Sequence, residues 1–454
     1  MQLLTPSGQR VTATGPEISA QEIEAQVADV ALADLLAMYT DMTIVRRLDE
    51  EATALQRQGE LGLWAPLRGQ EAAQVGSARA LAPDDMAFPS YREHGVAYCR
   101  GVDPVAVLGL FRGTTHGGWD PNEHGFALYA IVVGSQTLHA TGYAMGVSRD
   151  ASSCATITYF GDGASSQGDV GEAFGWAAVF NAPVVFFCQN NQYAISEPTT
   201  RQSRIPICQR AAGYGFPGVQ VDGNDVLATL AVTRWALARA RAGAGPTLIE
   251  AVTYRMGAHT TADDPSRYRD ADEVAQWASR DPLARVRTYL VAQNALDDSV
   301  DAAIAARADE AAADMRRRCL TLPDPEPLSM FDHVTVVESA HLANERADLA
   351  ELLGVDDDPP PAQAASASAS ASRTNRAPLG RSPADRSPAD RAATDLAATV
   401  STARTSPSAA SPSADAPSAD SPSPSSPRPA TSLAGAGAPV PPPQTPGQEA
   451  SCPR

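Results

Sequence analysis

The sequence contains no lysine, so all 35 of its basic residues are arginines. This absence excludes chemistry that needs a lysine amine, namely Schiff-base catalysis, attachment of pyridoxal phosphate and the phosphate-binding lysine of a Walker A loop. Aromatic residues are absent after Phe331, whereas 19 of the 36 prolines follow Val355. We therefore expect a folded region that ends near Gly354, followed by a segment of a different kind.

Positive charge is scarce as well. The 35 basic residues face 53 acidic ones, which gives a net charge of −18 and argues against nucleic acid or an anionic membrane as the main partner. The six cysteines are scattered without a C-x-x-C pair, which is typical of reduced thiols. No apolar run reaches the ~18 residues of a membrane span, and no signal-peptide core opens the chain. We expect a soluble, cytoplasmic protein.

Composition divides the chain into three regions. Residues 1–15 are expected to form a flexible leader, and residues 16–354 a single domain. Ser19 and Glu22 have the spacing of a capping box, which predicts the start of the first helix of that domain. Residues 355–454 are rich in Ala, Ser and Pro and contain the repeat SPADRSPADR. Without aromatic anchors such a segment cannot offset its ordering entropy, so we predict a long disordered C-terminal tail.

The middle of the domain alternates predicted strands and helices. In chain order these are strand 155–160, helix 167–181, strand 184–188, strand 218–221, helix 225–241 and strand 247–252. The continuous apolar run VVFFC fits a strand that is buried on both faces. The alternation predicts an α/β fold with a doubly wound parallel sheet, in which ligands bind beyond the carboxyl ends of the strands.

Two polar clusters fall at that edge of the predicted sheet. Gly161-Asp162-Gly163 follows one strand, and Asn190-Asn191, separated from it by 26 residues, follows the next. A carboxylate, an amide oxygen and a backbone carbonyl would form half of an octahedral Mg²⁺ site, completed by diphosphate oxygens and water. The helix after Gly163 would offer its N-terminus to the same diphosphate. The alternative is that Asp162 is an ordinary helix N-cap.

Five blocks of sequence together resemble the alpha subunits of 2-oxo acid dehydrogenase complexes, which bind thiamine diphosphate. The longest block is GDGASSQGDVGEAFGWAAVFNAPVVFFCQNNQYAIS, and the others, in the order of the family, occupy residues 67–81, 88–104, 210–226 and 245–270. The likeness extends over roughly residues 40–290, and five ordered blocks make a chance match improbable. It implies the thiamine-diphosphate-binding fold.

The resemblance also assigns roles to individual residues. The Mg²⁺ ligands would be Asp162, Asn191 and the carbonyl of Tyr193. The residues that contact the cofactor would be Tyr91 and Arg92 at the phosphate end, Gly163 and Ala164 through their backbone, Val133 at the thiazolium ring, and His259, which is also the expected catalytic residue. The competing interpretations are a surface turn for Tyr91 and Arg92 and a structural histidine for His259.

Some positions depart from the family pattern or leave a choice open. Gln189 stands where branched-chain relatives carry an arginine, which removes one positive partner of the phosphate. Ser135 and Gln136 occupy the place where some relatives hold a potassium ion. Thr260 takes the place of a serine that is phosphorylated in mitochondrial relatives. The stretch HGGWDPNEH at residues 116–124 could suggest a metal site, but its glycines, proline and asparagine favour a loop.

The resemblance implies the oxidative decarboxylation of a branched-chain 2-oxo acid or of pyruvate, with acetoin as an alternative substrate. The glutamate that activates the cofactor lies on a separate beta subunit in this family, so an α₂β₂ heterotetramer is expected. The acyl group would pass to the lipoyl domain of an acyltransferase core. A non-catalytic paralogue or scaffold that binds thiamine diphosphate, with its tail as the working part, is the alternative function.

Overall fold

A five-stranded parallel sheet forms the centre of the described structure, in the order β1-β2-β3-β7-β6. The computed structural model describes residues 1–355 apart from residues 14, 16, 17, 333 and 338. A small antiparallel hairpin, β4–β5, lies outside the sheet. The strands are β1 (Met86–Phe88), β2 (Thr156–Gly161), β3 (Val184–Asn190), β4 (Tyr193–Ala194), β5 (Glu197–Pro198), β6 (Gly218–Asp222) and β7 (Thr247–Val252).

Helices connect and cover these strands. They are α1 (Ala20–Ala25), α2 (Leu32–Arg57), α3 (Glu71–Arg79), α4 (His94–Cys99), α5 (Pro104–Arg112), α6 (Pro121–His124), α7 (Ser135–Arg149), α8 (Gly168–Val179), α9 (Thr199–Gln202), α10 (Val226–Arg241), α11 (Ala271–Ala278), α12 (Pro282–Ala292), α13 (Asp298–Cys319) and α14 (Ala340–Leu353). In the described part of the chain, none of them combines the length and the apolar character needed to cross a membrane.

Strand β3 is buried on both of its faces, as its apolar run predicts. All seven of its residues are buried. Val185 and Phe187 point into a larger core that includes residues of α2, α3 and α10, whereas Phe186 and Cys188 point into a smaller core that includes residues of α7 and α8. Helices therefore cover both faces of the sheet, and the predicted doubly wound α/β fold is confirmed.

Parallel register brings the carboxyl ends of three strands to one edge. Gly161 of β2 lies opposite Gln189 of β3, and Asn190 of β3 lies opposite Val252 of β7. The chain segments that leave these strands therefore start side by side.

The capping box predicted at Ser19 is confirmed at the start of α1. The predicted tail lies outside the described residues except for Val355.

The first residues of the chain pack against the domain. Leu3 and Leu4 are buried, and their N–H groups donate to the Asp225 carboxylate at 2.6 and 2.5 Å. Asp222 N–H also donates to the carbonyl oxygen of Met1 at 2.8 Å. The prediction of a flexible leader is wrong for residues 1–13. These contacts join residues more than 200 positions apart, so the local composition of the leader gave no sign of them.

The contacts of Asp225 generate a prediction about stability. Its carboxylate is buried and also accepts from the N–H groups of Leu227 and Ala228 in the first turn of α10, both at 3.1 Å. Asp225→Ala would leave four N–H groups without this acceptor, and we expect the free energy of unfolding to fall by about 3 kcal/mol. Equilibrium denaturation in urea measures the loss.

Asp297 provides the matched control for that experiment. It caps α13 by accepting from Ser299 N–H and Val300 N–H, but it lies on the surface. Asp297→Ala should cost about 1 kcal/mol, as exposed caps do. Equal losses in the two variants would show that the bonds from Asp225 to the first residues contribute nothing to stability.

Candidate active site

The two polar clusters predicted at the sheet edge meet through Thr199. Its hydroxyl lies 3.1 Å from Asp162 Oδ2 and 3.0 Å from Asn190 Oδ1. Thr199 begins α9, which follows the β4–β5 hairpin, so the hairpin and this helix sit over the edge where β2 and β3 end. The arrangement brings a carboxylate and amide side chains together beyond the strands, where α/β sheets bind ligands.

Asp162 holds its carboxylate in a buried and electrically neutral setting. The residue is 1% exposed, and its Oδ2 accepts from Thr199 Oγ1 and Gln202 Nε2, both at 3.1 Å. Burial raises the pKa of Asp162, and these two hydrogen bonds oppose that rise. A buried carboxylate that receives neutral donors is costly, and a bound cation would offset the cost.

The other two predicted metal ligands also lie at this edge. Asn191 is buried, and its Nδ2 donates to Gln70 Oε1 at 3.2 Å. The carbonyl oxygen of Tyr193 accepts from Arg255 Nη1 at 2.9 Å and retains a second lone pair. The described residues contain no group of three or more His, Cys, Asp or Glu side chains that could hold a metal. One carboxylate, one amide and one carbonyl supply the oxygen atoms that suit Mg²⁺.

Gly163 allows the hairpin to approach the end of β2. A Cβ atom at this position would lie 2.6 Å from Ala194 Cβ, which real side chains do not tolerate. Residues Gly163–Ser166 form one 3-10 turn before α8 begins. The first N–H groups of such a turn, those of Gly163 and Ala164, have no acceptor within it, so they are available to an anion.

Arg92 and His259, predicted from separate sequence blocks, are in contact. Arg92 Nη2 donates to the carbonyl oxygen of His259 at 2.8 Å and lies 3.3 Å from His259 Nδ1. Arg92 Nη1 donates to the carbonyl oxygen of Pro66 at 2.7 Å. The ring of Tyr91 meets the His259 ring edge-on, with centroids 6.2 Å apart. The structure therefore places Tyr91, Arg92 and His259 together.

The imidazole of His259 is held in its neutral form. Burial, followed by the charges of Arg92 and Arg255, lowers the pKa of His259 to about 3. Because Nδ1 faces the Arg92 guanidinium, which only donates, Nδ1 acts as an acceptor and the ring proton belongs on Nε2. His259 can therefore present an N–H donor to a ligand at neutral pH.

A network around Arg255 fixes the segment that carries His259, and sequence reasoning missed it. Arg255 is buried, and its Nη2 donates to the Ile195 carbonyl at 2.7 Å and lies 2.9 Å from the Tyr268 hydroxyl oxygen. Asp263 accepts from His259 N–H at 2.9 Å and from the Tyr268 hydroxyl at 2.5 Å. Burial, followed by the charge of Arg92, lowers the pKa of Arg255. The only sequence signal was its place in the TYRMGAH block.

A second network holds the loop that supplies Pro66. The buried Asp49 of α2 accepts from Trp64 Nε1 at 2.8 Å and from Leu67 N–H at 3.0 Å. Burial raises the pKa of Asp49 to about 6. Thr261, two residues after His259, donates its N–H to the Trp64 carbonyl at 2.9 Å. Asp49 therefore supports both Arg92 and the His259 segment, and no local pattern in α2 indicated that role.

Val133 lies in the irregular segment before α7 and is 42% exposed. The next residue, Gly134, has a φ of 92° and packs on the start of α8, where an added Cβ would lie 3.1 Å from Gln167 Cβ.

The Gln136 side chain is buried, donates to the Tyr159 carbonyl at 2.8 Å, and has an Oε1 atom with no hydrogen-bond partner. Ser135 Oγ donates to the Val132 carbonyl at 2.9 Å.

The stretch at residues 116–124 is a loop that ends in the short helix α6, as its composition predicts. Asp120 caps that helix through Asn122 N–H at 2.8 Å, which accounts for the Asp-Pro pair. His124 Nδ1 lies 3.3 Å from the carbonyl oxygen of Arg100. The carboxylate and this histidine therefore serve the local backbone.

Comparison with known proteins gives a consistent result. Residues 39–327 match the family model described as "Dehydrogenase E1 component". The chain is 49% identical over 321 residues to the 3-methyl-2-oxobutanoate dehydrogenase subunit alpha of Mycobacterium tuberculosis, which covers 70% of this chain and 88% of that protein. It is 40% identical to the pyruvate dehydrogenase E1 component subunit alpha of Staphylococcus epidermidis over 62% of this chain and 77% of that protein. To the pyruvate dehydrogenase E1 component subunit alpha of Staphylococcus aureus it is 42% identical, over 58% of this chain and 72% of that protein.

The setting of His259 generates a prediction about its titration. With a pKa of about 3, against an ordinary value of 6.5, its ring should stay neutral between about pH 5 and pH 8. Arg92→Gln removes a neighbouring positive charge, so the pKa of His259 should rise toward its ordinary value. NMR of the histidine-labelled chain, which has seven histidines, follows each ring through pH.

Arg317→Gln is the control, because Arg317 lies on the exposed surface of α13. That variant should leave the titration of His259 unchanged. A midpoint near 6.5 for His259 in the unsubstituted chain would contradict the buried, cation-flanked setting described above.

Proposed function

This chain belongs to the dehydrogenase E1 component family, and we propose that it is the alpha subunit that, with a beta subunit, oxidatively decarboxylates a 2-oxo acid. One observation carries the proposal. At a single sheet edge the chain gathers a buried carboxylate beside amide and carbonyl oxygens, the first N–H groups of a 3-10 turn, and the contacting pair Arg92 and His259. A non-catalytic scaffold that binds the cofactor would need the first two of these features, but it would not need a histidine at the reacting centre.

The cofactor implied by the family is thiamine diphosphate, and the residues at the sheet edge fit it. Asp162, Asn191 and the Tyr193 carbonyl would hold Mg²⁺, since the buried Asp162 carboxylate has neutral donors around it. Gly163 and Ala164 would donate backbone N–H groups to the diphosphate. The cofactor, when bound, would supply the nucleophilic carbon and the electron sink that decarboxylation of a 2-oxo acid requires.

Arg92 and His259 would act at the phosphate end and at the reacting centre. Carbonyl oxygens hold the Arg92 guanidinium, so its positive charge is not neutralised by a bonded carboxylate and is available to a phosphate. His259 would donate from Nε2 to an oxygen of the substrate or cofactor, because Nδ1 already faces Arg92. Tyr91 packs on that ring and limits its movement. Val133 would line the thiazolium pocket.

The proposed partners are a beta subunit, in an α₂β₂ heterotetramer, and the lipoyl domain of an acyltransferase core. The surface of α8 supports a subunit interface. The rings of Trp176 and of Phe180, which directly follows α8, stack with centroids 5.4 Å apart. Trp176 is 49% exposed, Phe180 is 47% exposed, and Val179 is 81% exposed. Exposed apolar clusters of this kind mark surfaces that other proteins cover.

Three finer points remain proposals. The higher identity to a 3-methyl-2-oxobutanoate dehydrogenase subunit makes that branched-chain acid the first substrate to test, followed by pyruvate and acetoin. The buried and unpartnered Gln136 Oε1, with Ser135 beside it in sequence, fits a potassium ion. The cysteines of the described residues form no disulfide, which is consistent with a cytoplasmic location.

The metal assignment predicts the effect of Asp162→Asn. Losing the anionic ligand should weaken binding of thiamine diphosphate with Mg²⁺ by about a hundredfold in the α/β pair, because a neutral amide oxygen attracts the divalent cation less strongly than a carboxylate does. The thermal unfolding temperature without cofactor should be unchanged or higher, since a buried charge has been removed. Isothermal calorimetry and thermal unfolding measure the two effects.

Asp298→Asn is the matched control, because Asp298 lies in the first turn of α13 with a fully exposed side chain. It should bind the cofactor as the unsubstituted chain does. Unaltered affinity in Asp162→Asn would remove Asp162 from the metal site.

The proposed half-site predicts how the isolated chain behaves. Alone, it should bind thiamine diphosphate poorly and decarboxylate no 2-oxo acid, because the activating glutamate belongs to the beta subunit in this family. Adding the beta subunit should restore reduction of an artificial electron acceptor. Cofactor and subunit association should each tighten the other, since the cofactor would lie at the interface between the subunits. Robust turnover by the isolated chain would overturn the proposal.

A further inference from the structure

Gln189 is bonded at both ends of its amide. It is 2% exposed at the carboxyl end of β3. Its Oε1 accepts from Gln74 Nε2 at 3.1 Å, and its Nε2 donates to Glu93 Oε1 at 2.5 Å. The side chain is therefore committed to two protein partners and does not stand free at the sheet edge.

Those two partners hold the turn formed by residues 90–95, which carries Tyr91 and Arg92. Glu93 Oε2 accepts from Ser90 N–H at 2.7 Å, from Ser90 Oγ at 2.8 Å and from Arg92 N–H at 3.3 Å. Gln74 Nε2 donates to the Arg92 carbonyl at 2.9 Å, and Gln74 Oε1 accepts from Gly95 N–H at 2.8 Å. Gln189 joins these two sets of bonds.

We propose that Gln189 is a positioning residue, which fixes Arg92 for the cofactor by bridging Gln74 and Glu93. The proposal rests on the function proposed above and explains why this chain has no arginine here. An arginine offers donors but no acceptor, so it would lose the bond from Gln74. A glutamine accepts from one partner and donates to the other, and it leaves the positive charge of the site to Arg92.

The bridge has a property that a simple packing role lacks. Glu93 Oε1 needs a donor, and Gln74 Nε2 needs an acceptor. The glutamate at position 93 and the glutamine at position 189 could therefore be exchanged without losing a hydrogen bond. With Gln at position 93 and Glu at position 189, the new amide would donate to the new carboxylate, while its oxygen would still accept from Ser90 and Arg92. Buried polar networks depend on this complete pairing.

The test uses the α/β pair and measures its affinity for thiamine diphosphate with Mg²⁺ by calorimetry, together with its thermal unfolding temperature without cofactor. Gln189→Glu sets a second carboxylate against Glu93. Two carboxylates in contact share a proton at low pH and repel each other when both are ionised. We expect the affinity to fall about tenfold at about pH 8 and to recover in large part at about pH 6, with no such difference in the unsubstituted pair.

The double variant Gln189→Glu with Glu93→Gln should restore the affinity to within about threefold and abolish its pH dependence. Gln293→Glu, an equal change of charge at the exposed end of α12, is the matched control and should have no effect. Gln189→Arg should not tighten cofactor binding. If it tightened binding about tenfold, position 189 would be a phosphate contact and the positioning role would be wrong.

Two further results would overturn the assignment. One is a Gln189→Glu pair that binds the cofactor normally at both pH values. The other is a double variant that folds but does not recover the affinity. Because this result needs only the double variant, it can be obtained even if Gln189→Glu alone does not fold. Absence of cofactor binding by the unsubstituted pair would instead overturn the proposed function, so the two failures are distinguishable.

Discussion

The pairing of β3 between β2 and β7 is the constraint on which the candidate site depends. Strand β3 is buried on both faces and is paired along its length with a strand on each side, so close packing in two cores and two sets of ladder hydrogen bonds fix its register. That register places the end of β2 beside Gln189 and the end of β7 beside Asn190. Asp162, Asn191 and Arg255 therefore begin their segments side by side, although 93 residues separate the first from the last.

The hydrogen-bond partners of the buried charges of Asp162, Arg92 and Arg255 are neutral groups. Asp162 receives a hydroxyl and an amide, and Arg92 and Arg255 donate to carbonyls and a tyrosine hydroxyl. Hydrogen bonds alone do not balance buried charge, and burial, followed by the repulsion of Arg92, lowers the pKa of Arg255. A guest that carries both signs, such as a diphosphate with its divalent cation, would balance both sides.

Patterns within short stretches predicted most of the fold. Local sequence alone predicts a buried strand at the apolar run of β3, and strand ends at Gly161-Asp162-Gly163 and at Asn190-Asn191. Strand β7 matches its predicted bounds. The missed features join distant segments. Thr199 and Gln202 reach Asp162 from a helix that no pattern linked to it, and Asp49 acts from α2. The hydrogen bonds from the N–H groups of Leu3 and Leu4 to Asp225 link the first residues to the middle of the domain. Sequence periodicity carries no record of such pairings.

Arg92 lies where three separately supported segments converge. Its own turn is tied down by Glu93 and Gln74, the Pro66 carbonyl comes from the loop that Asp49 holds, and the His259 carbonyl comes from a segment fixed by Asp263. A guanidinium held at fixed acceptors loses little entropy when a phosphate arrives, which is the advantage of a preorganised site. None of these supports needs to touch a ligand, yet a change in any of them would move the same group. The buried polar networks that stabilise this end of the sheet are therefore also the ones that set its geometry for binding.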